Sequence, residues 1–339
     1  MSDGRREILL AHGSGGRMTH ALVRDLFLHA FDNPALAPLE DAARIDVKSG
    51  SIAFTTDSFV VSPVVFPGGD LGKLAVCGTV NDLAVCGARP IALSAGFLLE
   101  EGLPMPLLES IVASMRRTCE EVGVKIVTGD TKVVERGGLD QIFINTAGIG
   151  VLAPPLPSGA ATVRPGDCIL VSGPLADHGM AVLSARNDLR FDTTIESDCA
   201  PLWDLICALL AAVPNGVRWM RDPTRGGFGT VLNELAAGRD FGIEIEEAAV
   251  PFRPGVRALS EILGIDPLYV ACEGRVVVVV EPGSAELALA TMRSHPLGRE
   301  ATQTGRIVCD PAGRVVLRTR IGGTRIVEVP SGEQLPRIC

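Results

Sequence analysis

Three prolines within four positions, Pro154, Pro155 and Pro157, constrain the fold more than any other feature of the sequence. They lie in the linker-like stretch Ala153-Pro-Pro-Leu-Pro-Ser-Gly-Ala-Ala-Thr-Val-Arg-Pro-Gly166. Proline fixes φ and has no amide donor, so neither a helix nor a central strand continues through such a run. Two halves of similar length flank it, and 339 residues suffice for a substantial core in each. The expectation is a two-domain chain.

Hydrophobic periodicity fills in the halves. The first is expected to carry an amphipathic helix over 17–31, halted by Asn33-Pro34, and strands over 51–56 and 59–66. A helix of small residues follows over 71–86, with Gly87 at its C-cap and Pro90 beyond. Another spans 104–122, with proline in its first turn and Gly123 past its end. Strands over 125–128 and 141–152 close this half. In the second half strands are expected over 168–172, 218–221, 243–246, 275–280 and 305–309, and helices over 177–186, 201–212, 226–237, 254–263 and 284–293. Two further strands, over 314–319 and 324–329, flank Gly322-Gly323. An α/β (α+β) architecture results. It agrees with a chain that is 47% hydrophobic but 4% aromatic, with 38 glycines.

No apolar run reaches membrane-spanning length, and the start, Met1-Ser-Asp-Gly-Arg-Arg-Glu, lacks a secretory apolar segment. A cytoplasmic protein without a membrane partner is expected. Nine cysteines, none in Cys-x-x-Cys spacing, argue for reduced thiols and against structural zinc. The net charge of −9 counts against nucleic acid as a partner. The chain ends Pro336-Arg-Ile-Cys339, about ten residues past its last strand-like run, which suggests an extended arm reaching roughly 33 Å. A thiol on such an arm reads either as a tethered carrier or as a surface cysteine of no consequence.

Two nucleotide-binding lookalikes fail. Gly68-Gly-Asp-Leu-Gly72-Lys73 has one residue too few for a P-loop, and Leu74 stands where a hydroxyl is required. Gly148-Ile-Gly150 is followed by prolines where a dinucleotide fold needs its helix. The carboxylates are more informative. Asp57 ends a strand, Asp82 follows Asn81 inside an apolar helix, and Asp130 follows the strand over 125–128. Acids in apolar surroundings need partners, and three of them suit Mg2+ bound to a nucleotide, with capping and turn duty as the plainer alternative. His12-Gly-Ser-Gly-Gly16 precedes a helix, and Asp222-Pro-Thr-Arg-Gly-Gly227 opens one, so both offer amides to an anion. Glu273, beside Gly274, is either a buried acid or a surface partner of Arg275. His178 stands at a helix start, where a capping neighbour is commoner than a ligand.

Taken together, the motifs resemble the HypE family of hydrogenase maturation proteins, within the AIR synthetase-like (PurM-like) ATP-using superfamily. The resemblance rests on Ala11-His-Gly-Ser-Gly-Gly16, Thr55-Thr-Asp-Ser58, Phe66-Pro-Gly-Gly69, Gly78-Thr-Val-Asn-Asp82, the segment 97–104 and Val127-Thr-Gly-Asp-Thr-Lys-Val133. It continues through Phe143-Ile-Asn-Thr-Ala-Gly148, Thr224-Arg-Gly-Gly227, Ser294-His-Pro-Leu-Gly298 and the terminal Pro336-Arg-Ile-Cys339. It implies a Gly-rich loop and helix over 1–34, an ATP-binding domain over 35–155 that dimerises through its sheet, an α/β sandwich domain over 164–310, and strands with a mobile tail over 311–339. A homodimer with ATP near the subunit interface is implied. So is a reaction: a carbamoyltransferase, HypF, loads Cys339, ATP drives dehydration of the thiocarboxamide to a thiocyanate, and the cyano group passes to a HypC–HypD iron scaffold. The implied catalytic residues are Cys339, Lys132 and Glu273. Phosphate contacts would come from Gly13, Ser14, Gly15, Gly16, Asn81, Thr131, Asp222 and Arg225, and Mg2+ ligands from Asp57, Asp82 and Asp130. Alternatives are a thiamine-monophosphate kinase, a selenophosphate synthetase (though the first cysteine is Cys77), or a carrier with no catalysis of its own.

Overall fold

Asp70 accepts a hydrogen bond from the Lys73 amide at 2.9 Å and so starts the helix that organises the first domain. The computed structural model describes residues 16–22, 24, 43–47, 50–152, 154–186, 194–330, 332 and 337–339. In order, the first part comprises α1 (Arg17–Leu22), β1 (Ala43–Val47), β2 (Gly50–Phe59), β3 (Val65–Phe66), β4 (Gly69–Asp70), α2 (Leu71–Val85), β5 (Ala88–Glu100), α3 (Met105–Val122), β6 (Lys125–Val134) and β7 (Ile142–Leu152). Five strands form one sheet in the order β1-β2-β7-β5-β6. Helix α2 is buried on nearly every side, as its small apolar sequence demands, and packs between α3 and one face of this sheet. Gly123 closes α3 with a left-handed φ of 75°.

The second domain comprises β8 (Cys168–Val171), α4 (Asp177–Ser184), α5 (Trp203–Ala212), β9 (Val217–Arg221), α6 (Gly227–Ala236), β10 (Gly242–Glu246), α7 (Pro254–Leu263), β11 (Val277–Val280), α8 (Ala285–Ser294), β12 (Thr302–Val308), β13 (Val315–Arg318) and β14 (Thr324–Val327). Its seven-stranded sheet has the order β14-β13-β10-β12-β8-β11-β9. The valine run of β11 is buried on both faces. Val277 and Val279 join a core with Trp219, Phe228 and Leu232, while Val278 and Val280 join another with Met220, Leu205 and Met292. Helices α6 and α8 thus cover opposite faces. The proline-rich linker is itself pinned, since Ser158 and Gly159 donate to the Val217 and Arg218 carbonyls of β9 at 3.0 and 2.7 Å.

Three expectations need correction. The strand pair over 51–56 and 59–66 is one long strand, β2, and a short one, β3. Strand β6 runs on to Val134, so Gly129 to Lys132 lie within a strand and not in a turn after it. Strands β1, β4 and β5 were not expected at all; β1 pairs with β2 from Ala43↔Phe54 to Val47↔Gly50, and β5, the longest strand of the sheet, lies between β7 and β6. The helix expected over 17–31 is described as far as Leu22, with its remainder outside the described residues apart from Arg24.

Candidate active site between the two domains

The last three residues lie in the cleft between the domains. The Val60 amide donates to the Cys339 carbonyl at 3.3 Å and the Ser62 amide to the Arg337 carbonyl at 3.1 Å, an antiparallel pairing that continues the line of β2. Arg186, just past α4, donates to the Ser62 and Arg337 carbonyls, both at 3.0 Å. Arg337 donates to the Val60 carbonyl at 3.0 Å, stacks 5.6 Å from the Phe143 ring centre and pairs with Asp140. The Ile338 side chain is buried in a core it shares with Phe59, Leu74, Cys77, Val182 and Cys199. The end of the arm, residues 337–339, is docked, with Cys339 half-buried.

Around it stand acids from both domains. Asp57, on β2, and Asp82, on α2, share a hydrogen bond, and the Thr55 hydroxyl donates to Asp82 at 2.7 Å. Burial raises the Asp57 pKa, against the opposing pull of Arg225 and of the Asp82 hydrogen bond. Arg225, from the loop before α6, keeps an opening to solvent. Its pKa is raised first by negative charge at Cys339 and then, against desolvation, by Asp57, Glu273 and Asp82. Glu273 is 2% exposed, and its Oε1 has no hydrogen-bond partner among the described residues. Burial holds its pKa well above the ordinary value, with Cys199, Asp222, Asp198 and Asp57 adding to the effect. Its backbone is fixed from three directions, by Asp198 to its amide and by Asn81 and the Ala200 amide to its carbonyl. Gly274 permits this: a Cβ there would strike the Asp198 carbonyl. Arg275 turns away from Glu273 to Asp198, at 3.4 Å, so the surface-pair reading fails.

Other expected site residues are placed differently. Asn81 gives both amide protons to the Ala200 and Glu273 carbonyls at 3.1 Å and accepts from the Leu202 amide at 2.8 Å. It ties the domains together, and a fully engaged amide has nothing left for a phosphate. Asp130 does not join Asp57 and Asp82. It aligns with Gly96, Asn145 and Ser58 across the sheet, whereas Asp57 aligns with Thr146 and Ala95 in the next row, so the two carboxylates leave opposite faces. On that far face Asp130 pairs with Lys132 at 2.7 Å, both more than two-thirds exposed. Thr131 is described as backbone within β6. Asp222 is buried at the end of β9, close enough to raise the Glu273 pKa. Gly16 is buried, and Arg17 after it donates to the Pro330 carbonyl at 3.1 Å. Gly13, Ser14 and Gly15 lie outside the described residues, as does His12.

Sequence reasoning missed the groove that receives the tail. Its residues, Val60, Ser62, Arg186 and Ser197, carry no motif, and only the length of the arm hinted that something must hold it. His178, read as a capping neighbour, is fully buried in that groove.

Both domains match known families. Residues 39–152 match the AIR synthase related protein, N-terminal domain, and residues 164–318 the corresponding C-terminal domain. The class is thus a two-domain AIR synthase related protein with a cleft between its domains. Carbamoyl dehydratase HypE of Rhodobacter capsulatus is 52% identical over 337 residues, covering 98% of each chain. A crystal structure of a HypE–HypF complex superposes with a TM-score of 0.86 at 49% identity, over 91% of this chain and 100% of that one. HypE in complex with ATP gives 0.81 at 48% identity, over 98% and 100%. The chain belongs to the HypE family of carbamoyl dehydratases.

Proposed function

We propose that this chain is an ATP-dependent dehydratase whose substrate is a carbamoyl group carried as a thiocarboxamide on its own Cys339. The docked C-terminal tripeptide carries the reading, because it delivers a thiol to a cleft lined by Arg225, Glu273 and the Asp57–Asp82 pair. The carbamoyl oxygen attacks the γ-phosphorus of ATP and ADP leaves, turning a poor oxygen leaving group into phosphate. Glu273, acting from its ionised form, which burial makes strongly basic, accepts one of the two protons of the nitrogen. As the C–O bond breaks, the departing phosphate takes the second nitrogen proton, and the nitrile of a thiocyanate remains. Arg225 offsets the negative charge that gathers between the domains.

Two carboxylates in contact must share a proton or a cation, so Asp57 and Asp82 fit a divalent ion well. Mg2+ takes one or two carboxylates plus phosphate oxygens, and these two residues would hold it; bound there it would neutralise the transferring phosphoryl group. Among the described residues no third carboxylate joins them. Lys132 and Asp130 enter by another route. They share the sheet face opposite α2 with exposed Phe54, Leu98 and Ile149, a face we assign to the pairing of two copies. Lys132 aligns with Leu98 and Phe143, two strands or roughly 10 Å from the side chain on which Arg337 stacks. In the paired state it would stand near the phosphoryl group. A HypF-type carbamoyltransferase loads the thiol, as the HypE–HypF complex suggests, and a HypC–HypD scaffold receives the cyano group. We place the reaction in the cytoplasm; among the described residues no helix is long and apolar enough to cross a membrane.

The test uses Asp57→Asn and Asp82→Asn, each loaded with a carbamoyl group by the transferase. Both are expected to accept the group at Cys339 and to lose at least 100-fold in ATP-dependent conversion, followed by intact mass. Conversion at the wild-type rate in both would remove the metal-nucleotide assignment.

A further inference from the structure

The β-type pairing along Val60–Ser62 reaches the carbonyls of Arg337 and Cys339, because alternate residues of a strand face one neighbour. The carbonyl between them, that of Ile338, points the other way, into the second domain. There it meets His178 of α4, with Nε2 at 2.9 Å. On the other side of the ring, Nδ1 lies 2.8 Å from the Ser197 hydroxyl, which also accepts from the Cys199 amide at 3.0 Å. The Phe66 ring closes the side of the pocket, edge to face at 5.3 Å.

These contacts fix the tautomer. Burial lowers the His178 pKa, so the ring is neutral and carries one proton. A carbonyl only accepts, so the proton sits on Nε2 and points at Ile338. Nδ1 must then accept, and the Ser197 hydroxyl donates to it.

We infer that His178, oriented by Ser197, is the positioning residue that holds the Ile338–Cys339 peptide plane and so aims the Cys339 side chain at the reaction centre. The peptide is planar, so holding its carbonyl sets the direction in which the Cys339 Cα leaves it. The inference rests on the reading that Cys339 carries the reacting group. It also gives the tail two holders of different kinds. The first domain supplies backbone amides, whereas α4 and the segment after it supply His178 and Arg186. Docking therefore requires both domains at once, and release to the transferase requires breaking the His178 contact.

The experiment follows Cys339 in the full-length protein by its rate of alkylation with iodoacetamide. The C-terminal peptide is quantified by mass and normalised to Cys309, which is exposed and remote from the groove. Ser197→Ala and His178→Phe should each speed Cys339 alkylation by about two- to tenfold, the worth of one net hydrogen bond. His178→Gln, whose amide can donate to the same carbonyl, should keep the wild-type rate. Single-turnover conversion of the carbamoylated protein should fall by at least the same factor in Ser197→Ala, while carbamoylation, which needs the released tail, is not slowed. A general loss of structure would make the buried Cys77 and Cys86 reactive and slow both steps, and would count against the assignment. Unchanged Cys339 alkylation in Ser197→Ala overturns it, even if His178→Phe fails to fold. If the alkylation contrast holds but no carbamoyl group ever appears on Cys339, the latch stands and the functional reading falls.

Discussion

Glu273 holds a carboxyl where an ion is poorly tolerated: it is buried, its Oε1 has no partner among the described residues, and neighbouring acids add to the effect of desolvation. Its folded pKa lies above the ordinary 4.5, so the fold favours the protonated form. Its contribution to stability is fully present below 4.5 and is lost as pH rises through the folded value. Glu273→Gln removes the titration and keeps the shape. The variant should therefore gain about 1–3 kcal/mol over wild type by about pH 8, the scale of an unsatisfied buried polar group, with the gap closing toward pH 4.5. Paired denaturation curves at the two pH values check this, and a pH-independent gap would contradict it. The same variant should lose at least 100-fold in conversion of the carbamoylated tail. An acid beside glycine was readable as a site from the sequence. That Asp198 and Asn81 hold its backbone was not, because those contacts span 75 and 192 residues of sequence.

At the scale of elements, α2 joins the two domains. Its Asn81 makes three hydrogen bonds to backbone of the second domain, all across the cleft that receives the tail. Asn81→Ala strands two carbonyls and an amide in a buried place and should cost about 2–3 kcal/mol. Chemical denaturation measures the cost, and a loss under 0.5 kcal/mol, of the size seen for surface substitutions, would show that the bridge is incidental. The helices were largely legible because their stops are local: Gly87 and Gly123 sit in left-handed conformations where the chain needs them. Most strands of the second domain fell within two residues of expectation, since runs such as Val277–Val280 have few alternatives. Legibility failed where pairing and not propensity decides. Strand β6 carries Gly129 and Asp130, which read as a turn, yet it is held extended along β5 through Glu100↔Val134. The face on which each acid emerges depends on that register, and this is why Asp130 does not stand beside Asp57 within one chain.

For the whole molecule, the sheet of the first domain has α2 on one side and exposed Phe54, Leu98 and Ile149 on the other. An apolar sheet face of this kind calls for a cover, which the proposed pairing of two copies would supply symmetrically. Leu98→Asp should convert a dimer to a monomer in sedimentation and cut ATP-dependent conversion at least tenfold, while leaving Cys339 able to accept a carbamoyl group. A dimer of unchanged stability would move the interface elsewhere. The central claim is that the docked tail carries its own substrate into the cleft. Intact mass with peptide mapping tests it most directly, on wild type and Cys339→Ala incubated with carbamoyl phosphate, the transferase and ATP. Wild type should gain one carbamoyl group, on Cys339 alone, and then lose the elements of water when Mg2+-ATP is supplied, while Cys339→Ala folds and gains nothing. A carbamoyl group on Cys77, Cys199 or any other residue of that variant, or wild-type adduct that ATP leaves unchanged, would contradict the account.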